Sequence, residues 1–184
     1  MTLQKNNSSL LWLDLEMTGL NPEIDLILEV ALIITDFDFN SIAEFETKIE
    51  QNRFEVEKLL NDNPFYSVFS SNKKDFLDPS DKKLSNGEAE KRILKMLTEN
   101  CADSTVYLAG NSIYNDRKFI AKYMPEFHSR LHYRMLDVSA FKILMQEKYA
   151  KEFNKVNQHR AMSDVQESIN ELKFYLKEFN VKES

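Results

Sequence analysis

Apolar residues follow two rhythms along this chain. Near its start they come in short, dense blocks. Leu10 to Glu16 reads LLWLDLE, Leu26 to Thr35 is almost wholly apolar, and a third block lies within Ile42 to Ile49, after a break at Phe37 to Ser41. Blocks of this length, punctuated by Gly19 and Pro22, predict three consecutive strands in a meander. Further on, the spacing becomes helical. Ile93, Leu94 and Leu97 place a helix over Glu88 to Glu99, with Asn86 or Ser85 as its N-cap. Val106 to Ala109 predicts a short strand, which Gly110 ends before a helix over Asn115 to Tyr123, the strand-turn-helix step of an α/β crossover. Tyr133 to Leu136 then reads as a strand and Val138 to Lys148 as a helix. In the last helix, about Ala161 to Phe179, Val165, Ile169, Leu172 and Leu176 share one face. The order βββ-αβ-αβα predicts an α/β fold. Only Asn61 to Ser85, polar and holding Pro64 and Pro79, takes no assignment, and it reads as the most mobile part. Gly19 and Gly110 directly follow strands, and their turns are expected to require backbone angles open to glycine.

At 184 residues, with 42% hydrophobic side chains, the chain can bury one substantial core but is short for two. A single domain over residues 1–184 is expected, with its core over about residues 10–179. No apolar run reaches the about 18 residues of a membrane span. Met1 to Ser9 is polar and lacks the apolar segment of a secretion signal, so a soluble, cytoplasmic protein is expected. The single Cys101 excludes a disulfide within the chain and leaves a bridge between subunits open. A formal net charge of -6 argues against a protein that coats long nucleic acid, because such binding rests on many Lys and Arg contacts to phosphates. A short substrate needs only a few cations, and carboxylates that hold divalent metals would themselves add to the acidic count.

Asp14 and Glu16 stand two apart at the end of the first strand, so their side chains project from one face and can converge on a cation. Hard cations such as Mg2+ and Mn2+ prefer such oxygen ligands. A lone D-x-E is more often a pair of solvated strand-end acids. Asp116, near the start of a helix that follows a second strand, can reach the same end of a parallel pair, although alone it reads as a first-turn acid favouring the helix dipole. His159 and Asp164 lie where a loop enters the final helix; singly, one reads as a surface residue and the other as a first-turn acid. Together they read differently. Four carboxylates in one place repel each other by several kcal/mol unless cations neutralise them. Two metals about 4 Å apart would do so, bind a phosphodiester, lower the pKa of a bound water and stabilise the departing 3' oxygen. A neutral histidine beside that water is a suitable general base, and His159 fits that role.

The segments WLDLEMTGLNP (Trp12 to Pro22), AGNSIYNDRKFI (Ala109 to Ile120), HYRMLDVS (His132 to Ser139) and HRAMSDVQES (His159 to Ser168) closely resemble those of oligoribonucleases. That family belongs to the DEDD exonucleases with a catalytic histidine, and the resemblance runs in register from about Leu10 to Phe179. It implies an RNase H-like exonuclease fold with a mixed five-stranded sheet, its second strand antiparallel, flanked by helices, and it implies a homodimer. The implied activity is 3'-to-5' hydrolysis of short single-stranded RNA of two to five nucleotides, down to dinucleotides, to nucleoside 5'-monophosphates. Carried over residue by residue, Asp14, Glu16 and Asp164 hold two divalent cations, Mg2+ or Mn2+, Asp116 completes the site, and His159 activates the attacking water. Leu20 matches a residue that packs against a base. Ser112, Arg134 and Ser139 match residues that cap the 5' phosphate of a dinucleotide, and Tyr133 matches a tyrosine that reaches into the partner's site. Physical chemistry supports the cap: a guanidinium and two hydroxyls can satisfy a terminal phosphate and stop a longer strand from passing.

The chain departs from the family in one region. A tryptophan and, five residues later, a histidine usually follow the third strand and help grip the nucleotide. Here Trp12 is the only tryptophan and the stretch reads LNDNPFYSVFSSN, which leaves Phe65, Tyr66 or Phe69 as stacking faces. Ala140 stands where the family often has a hydroxyl. Two other readings remain: another DEDD exonuclease acting on single-stranded DNA or tRNA ends, and an inactive nuclease fold used as an RNA-binding module. Retention of all four carboxylates and the histidine disfavours the second.

Overall fold

The computed structural model describes residues 8–154 and 160–180. Strands β1 (Ser8–Met17), β2 (Ile27–Thr35) and β3 (Ser41–Ile49) come first. Helices α1 (Arg53–Asp62), α2 (Phe65–Val68) and α3 (Ser70–Phe76) lead to β4 (Lys83–Leu84) and α4 (Asn86–Cys101). Then follow β5 (Thr105–Gly110), α5 (Tyr114–Tyr123), α6 (Pro125–Arg130), β6 (Leu131–Asp137), α7 (Val138–Tyr149) and α8 (Ala161–Asn180). The strands form one sheet in the order β4-β3-β2-β1-β5-β6. β2 is antiparallel to both neighbours, whereas β1 with β5, β5 with β6, and β3 with β4 are parallel pairs. Among the described residues the expected five strands are therefore six. The extra one, β4, pairs only through Lys83 and Leu84 with Lys48 and Ile49, and two residues are too few to show a period in the sequence.

Alternation along β1 divides the molecule into two layers. Leu11, Leu13 and Leu15 enter a core shared with Ile93 and Leu97 of α4, Phe119 and Ile120 of α5, and Phe127 of α6. Leu10 and Trp12 face the other way, into a core with Val138 and Met145 of α7 and Val165, Ile169, Leu172 and Tyr175 of α8. Every residue of β2 is buried, as expected of a strand covered on both faces. Full burial of each Leu, Ile or Val in these layers contributes roughly 1.5–3 kcal/mol. The indole of Trp12 meets its one polar need by donating from Nε1 to Thr35 Oγ1 at 3.0 Å. On α8 the sequence places Leu176 on the buried face; it is exposed, and Tyr175 takes that position, with its hydroxyl donating to Glu171 Oε1 at 2.8 Å.

Of the two N-cap candidates for α4, Ser85 serves, in a reciprocal capping box with Glu88. The Asn61–Ser85 stretch is built of α2, α3 and β4. With α1 it forms a small third core of Val56, Leu60, Tyr66 and Phe76 against Leu28. Asn52 caps α1 by accepting from the N–H groups of Phe54 and Glu55. No described glycine has positive φ, so the backbone-angle expectation for Gly19 and Gly110 is wrong. They are needed for closeness instead: a Cβ at Gly19 would lie 2.5 Å from Asp25 Oδ2, and one at Gly110 would lie 2.8 Å from the Leu13 carbonyl. Left-handed backbone falls on Phe39, Ser112 and Ala150.

Candidate active site

Asp14 and Glu16 continue the β1 face that carries Leu10 and Trp12, and α8 packs on that face. The first turn of α8 bears Asp164. Strand and helix thus bring three carboxylates together, one oxygen from each lying within 4.8 Å of the others. Glu16 shows the electrostatic consequence. Burial above all, and then the charges of Asp164, Glu29 and, more weakly, Asp116, push its carboxyl from 4.5 up to about 8, against the lowering effect of Arg160. A site of three oxygen donors in which a carboxyl resists ionisation suits a hard divalent cation, which would supply the missing positive charge.

Asp116 is buried near these groups but takes a different position. The β1–β5 ladder ends with the pairing of Trp12 and Ala109, so β1 runs on with β2 on one edge and no strand on the β5 side. Asp116 Oδ1 accepts the N–H of Leu15 at 3.0 Å, closing this gap from α5. Burial raises its carboxyl to about 7, and the bonds from backbone N–H groups oppose that rise. His159 lies outside the described residues.

Beyond β1, Asp25 organises the turn that presents Leu20. Its Oδ1 accepts from the Thr18 hydroxyl at 2.9 Å and its Oδ2 from the Asn21 N–H at 2.9 Å, while Thr18 Oγ1 accepts the N–H of Leu26 at 3.0 Å. Leu20 is 64% exposed at the tip. The helical insert docks on the same segment: Tyr66 donates its hydroxyl to the Met17 carbonyl at 2.6 Å, and Asn63 Nδ2 donates to the Thr18 carbonyl at 2.7 Å. Tyr66 is buried, so it anchors the insert and offers no stacking face. Phe65 is 38% exposed, with its ring centroid 4.5 Å from that of Phe69.

Ser112 and Ser139 are brought together, with their hydroxyl oxygens 3.1 Å apart. The Ser112 N–H donates to Asp137 Oδ1 at 3.0 Å and to Ser139 Oγ at 2.8 Å, and these bonds hold Ser112 at a φ of 50° that few non-glycine residues adopt. Asp137 Oδ1 also accepts the N–H of Ser139 and so caps α7. Arg134 stands on β6 with its guanidinium 5.3 Å from the centre of the Tyr133 ring, and Tyr133 is 70% exposed. Arg134 lines an open groove of about 780 Å³ with Tyr107, Leu136, Ala140, Phe141 and the same Asp137 that anchors the serines.

Three further residues shape the site and escape a reading of the sequence. Asp25 and Arg160 act through contacts that no local pattern reveals. Glu29 carried a signal: it is a lone carboxylate inside the apolar Leu26 to Thr35 run, it pairs in register with Glu16, and it is 1% exposed.

The exonuclease family model matches residues 11–172. The oligoribonuclease of Francisella tularensis subsp. holarctica is 43% identical over 173 residues, covering 92% of this chain and 95% of its own. That of Thiobacillus denitrificans is 36% identical over 178 residues, covering 95% and 96%. Among solved structures, the zinc-bound complex of E. coli exonuclease I with single-stranded DNA superposes with a TM-score of 0.66 at 14% identity, over 95% of this chain and 41% of that one. Exonuclease I of Methylocaldum szegediense gives 0.63 at 17% identity, over 95% and 41%. The chain spans about two-fifths of those exonuclease I chains, and at this identity the likeness is one of fold.

Proposed function

Because this chain belongs to the oligoribonucleases, within the exonuclease family, we propose that Asp14, Glu16 and Asp164 hold the divalent cations with which it degrades RNA. The protein is a 3'-to-5' exoribonuclease that acts on short oligoribonucleotides. One observation carries the cation reading: carboxylates far apart in the chain, on β1 and α8, converge within 4.8 Å although burial and the neighbouring acids oppose the ionisation of Glu16.

Two cations, Mg2+ or Mn2+, fit this donor set; bound there, they neutralise the cluster and the phosphodiester and ease attack by water. Asp116 holds the end of β1 in place through the Leu15 N–H and adds negative charge beside Glu16. His159 takes the proton from the attacking water. Leu20, exposed beyond β1, packs against a base. Ser112, Ser139 and Arg134 receive the 5' phosphate of a dinucleotide, with Asp137 fixing the two serines. The same reading takes the chain as one exonuclease domain acting in the cytoplasm as a homodimer, in which the exposed Tyr133 on edge strand β6 reaches the partner's site.

The test is product formation from 5'-labelled RNAs of two, three, five and seven nucleotides, with Mn2+ or EDTA, beside a matched DNA. Rapid, Mn2+-dependent cleavage of the dinucleotide with slow cleavage of longer strands is expected. Equal rates at all lengths would remove the phosphate cap, and activity in EDTA would remove the cations.

A further inference from the structure

Arg160 sits beside the acidic cluster and joins three elements. Its Nε and Nη2 donate to the two carboxylate oxygens of Glu29 on β2, at 3.2 and 3.0 Å, and its Nη1 donates to Asp75 Oδ2 on α3 at 2.9 Å. Its own carbonyl accepts the N–H of Asp164 at 2.9 Å, opening the first turn of α8. From the far side, Lys48 of β3 reaches the same Asp75 oxygen at 2.8 Å and also pairs with Asp81.

The two arms of the guanidinium differ in worth. The Glu29 side chain is 1% exposed, so its carboxylate has little water and depends on the charged fork that meets it. A planar guanidinium bound at two oxygens also fixes direction, which a point charge does not. The Asp75 arm is 38% exposed and therefore screened.

We infer that Arg160 is the positioning residue for Asp164: its fork on Glu29 seats the Asp164 end of α8 against β2, and its second arm ties α3 to the same point. All three guanidinium nitrogens donate to carboxylates of the protein itself, so Arg160 acts through the carboxylate that it places. The inference rests on the cation site proposed above. It also gives the buried Glu29 a purpose: it is the fixed point on the sheet from which the distance between strand and helix carboxylates is set.

The test is Mn2+ binding by calorimetry on the full chain, with thermal melts to establish folding and with kcat and KM measured on a dinucleotide. Arg160→Gln is expected to raise the Mn2+ Kd about 10- to 100-fold, the usual cost of losing a group that orients a metal ligand, and to lower kcat with KM for RNA little changed. Arg160→Lys keeps the charge without the fork and should recover part of that loss. A wild-type Kd in folded Arg160→Gln overturns the inference. If that variant does not fold, Asp75→Asn is read instead. It should weaken Mn2+ binding by about two- to fivefold at low salt, the worth of a partly exposed ion pair, and the effect should vanish in high salt; an unchanged Kd overturns the inference. A wild-type protein that binds no Mn2+ would overturn the cation site itself, whereas tight binding shared by wild type and all folded variants would overturn the role of Arg160 alone.

Discussion

Replacing Glu16 by Gln should stabilise the metal-free protein while abolishing its activity. In the unfolded chain this carboxyl ionises near 4.5; in the folded protein, burial and its acidic neighbours hold it neutral to about 8. Between those values the folded state binds more protons than the unfolded one, so stability falls as pH rises through the window. At pH 7.5 the gap is about three pH units, which at 1.36 kcal/mol each sets an upper bound of roughly 4 kcal/mol. Water reaching the site and relaxation of the neighbouring acids reduce this to about 2 kcal/mol. A glutamine of the same size carries no charge to bury. For a chain of 184 residues, each kcal/mol moves Tm by about 2–4 °C, so Glu16→Gln should melt about 4–8 °C above wild type in EDTA at pH 7.5. The difference should shrink to about 0.4 kcal/mol at pH 4.5, where the carboxyl is protonated in the folded protein and half-protonated in the unfolded chain. Saturating Mn2+ should reverse the order, because only an intact cluster gains the full stabilisation of binding. Calorimetric melts at two pH values, with and without Mn2+, measure all of this. Coincident melts at pH 7.5 in EDTA, or an undiminished gap at pH 4.5, would refute the reasoning.

Two further substitutions separate roles that the geometry leaves side by side. His159→Ala should lower kcat by about 10²- to 10⁴-fold while the Mn2+ Kd holds, as expected of a general base; lost Mn2+ binding would make the histidine a ligand. Asp116→Asn keeps an oxygen to accept the Leu15 N–H, so in EDTA the protein should melt no lower than wild type at pH 8, while kcat with Mn2+ falls by at least tenfold. Full activity would reduce Asp116 to a backbone cap.

The elements that read clearly in the sequence are those on which packing imposes a pattern. β1 is a dense apolar block because both of its faces meet helices, and α8 shows its period because one side meets the sheet. The period alone did not resolve Leu176 from Tyr175, since they stand four and three residues beyond Leu172 and both spacings return to the same face. α1 to α3 bury only a few side chains against Leu28 and leave a mostly polar surface, so their sequence shows no stripe. α6 carried a usable signal in Pro125 at its first turn but is too short to show a period. In the site, Asp14 and Glu16 were legible from their spacing of two. The convergence of Asp164 required the α8 packing, and the Arg160–Glu29 pair joins residues 131 positions apart. Reading Asp116 as part of the acidic group found its neighbourhood but not its bond to Leu15, which arises only because β1 outruns β5.

That same alternation along β1 has a consequence for how the protein can change. Leu11, Leu13 and Leu15 fill one layer while Asp14 and Glu16 serve the other, so a single inserted or deleted residue between Leu10 and Glu16 would exchange the two sets. The acids would enter an apolar layer and the leucines would enter the cation site. Length variation in this strand is thereby closed to the lineage, because no intermediate keeps either a folded sheet or a working cluster. Loops and the polar helical insert are where it can still experiment.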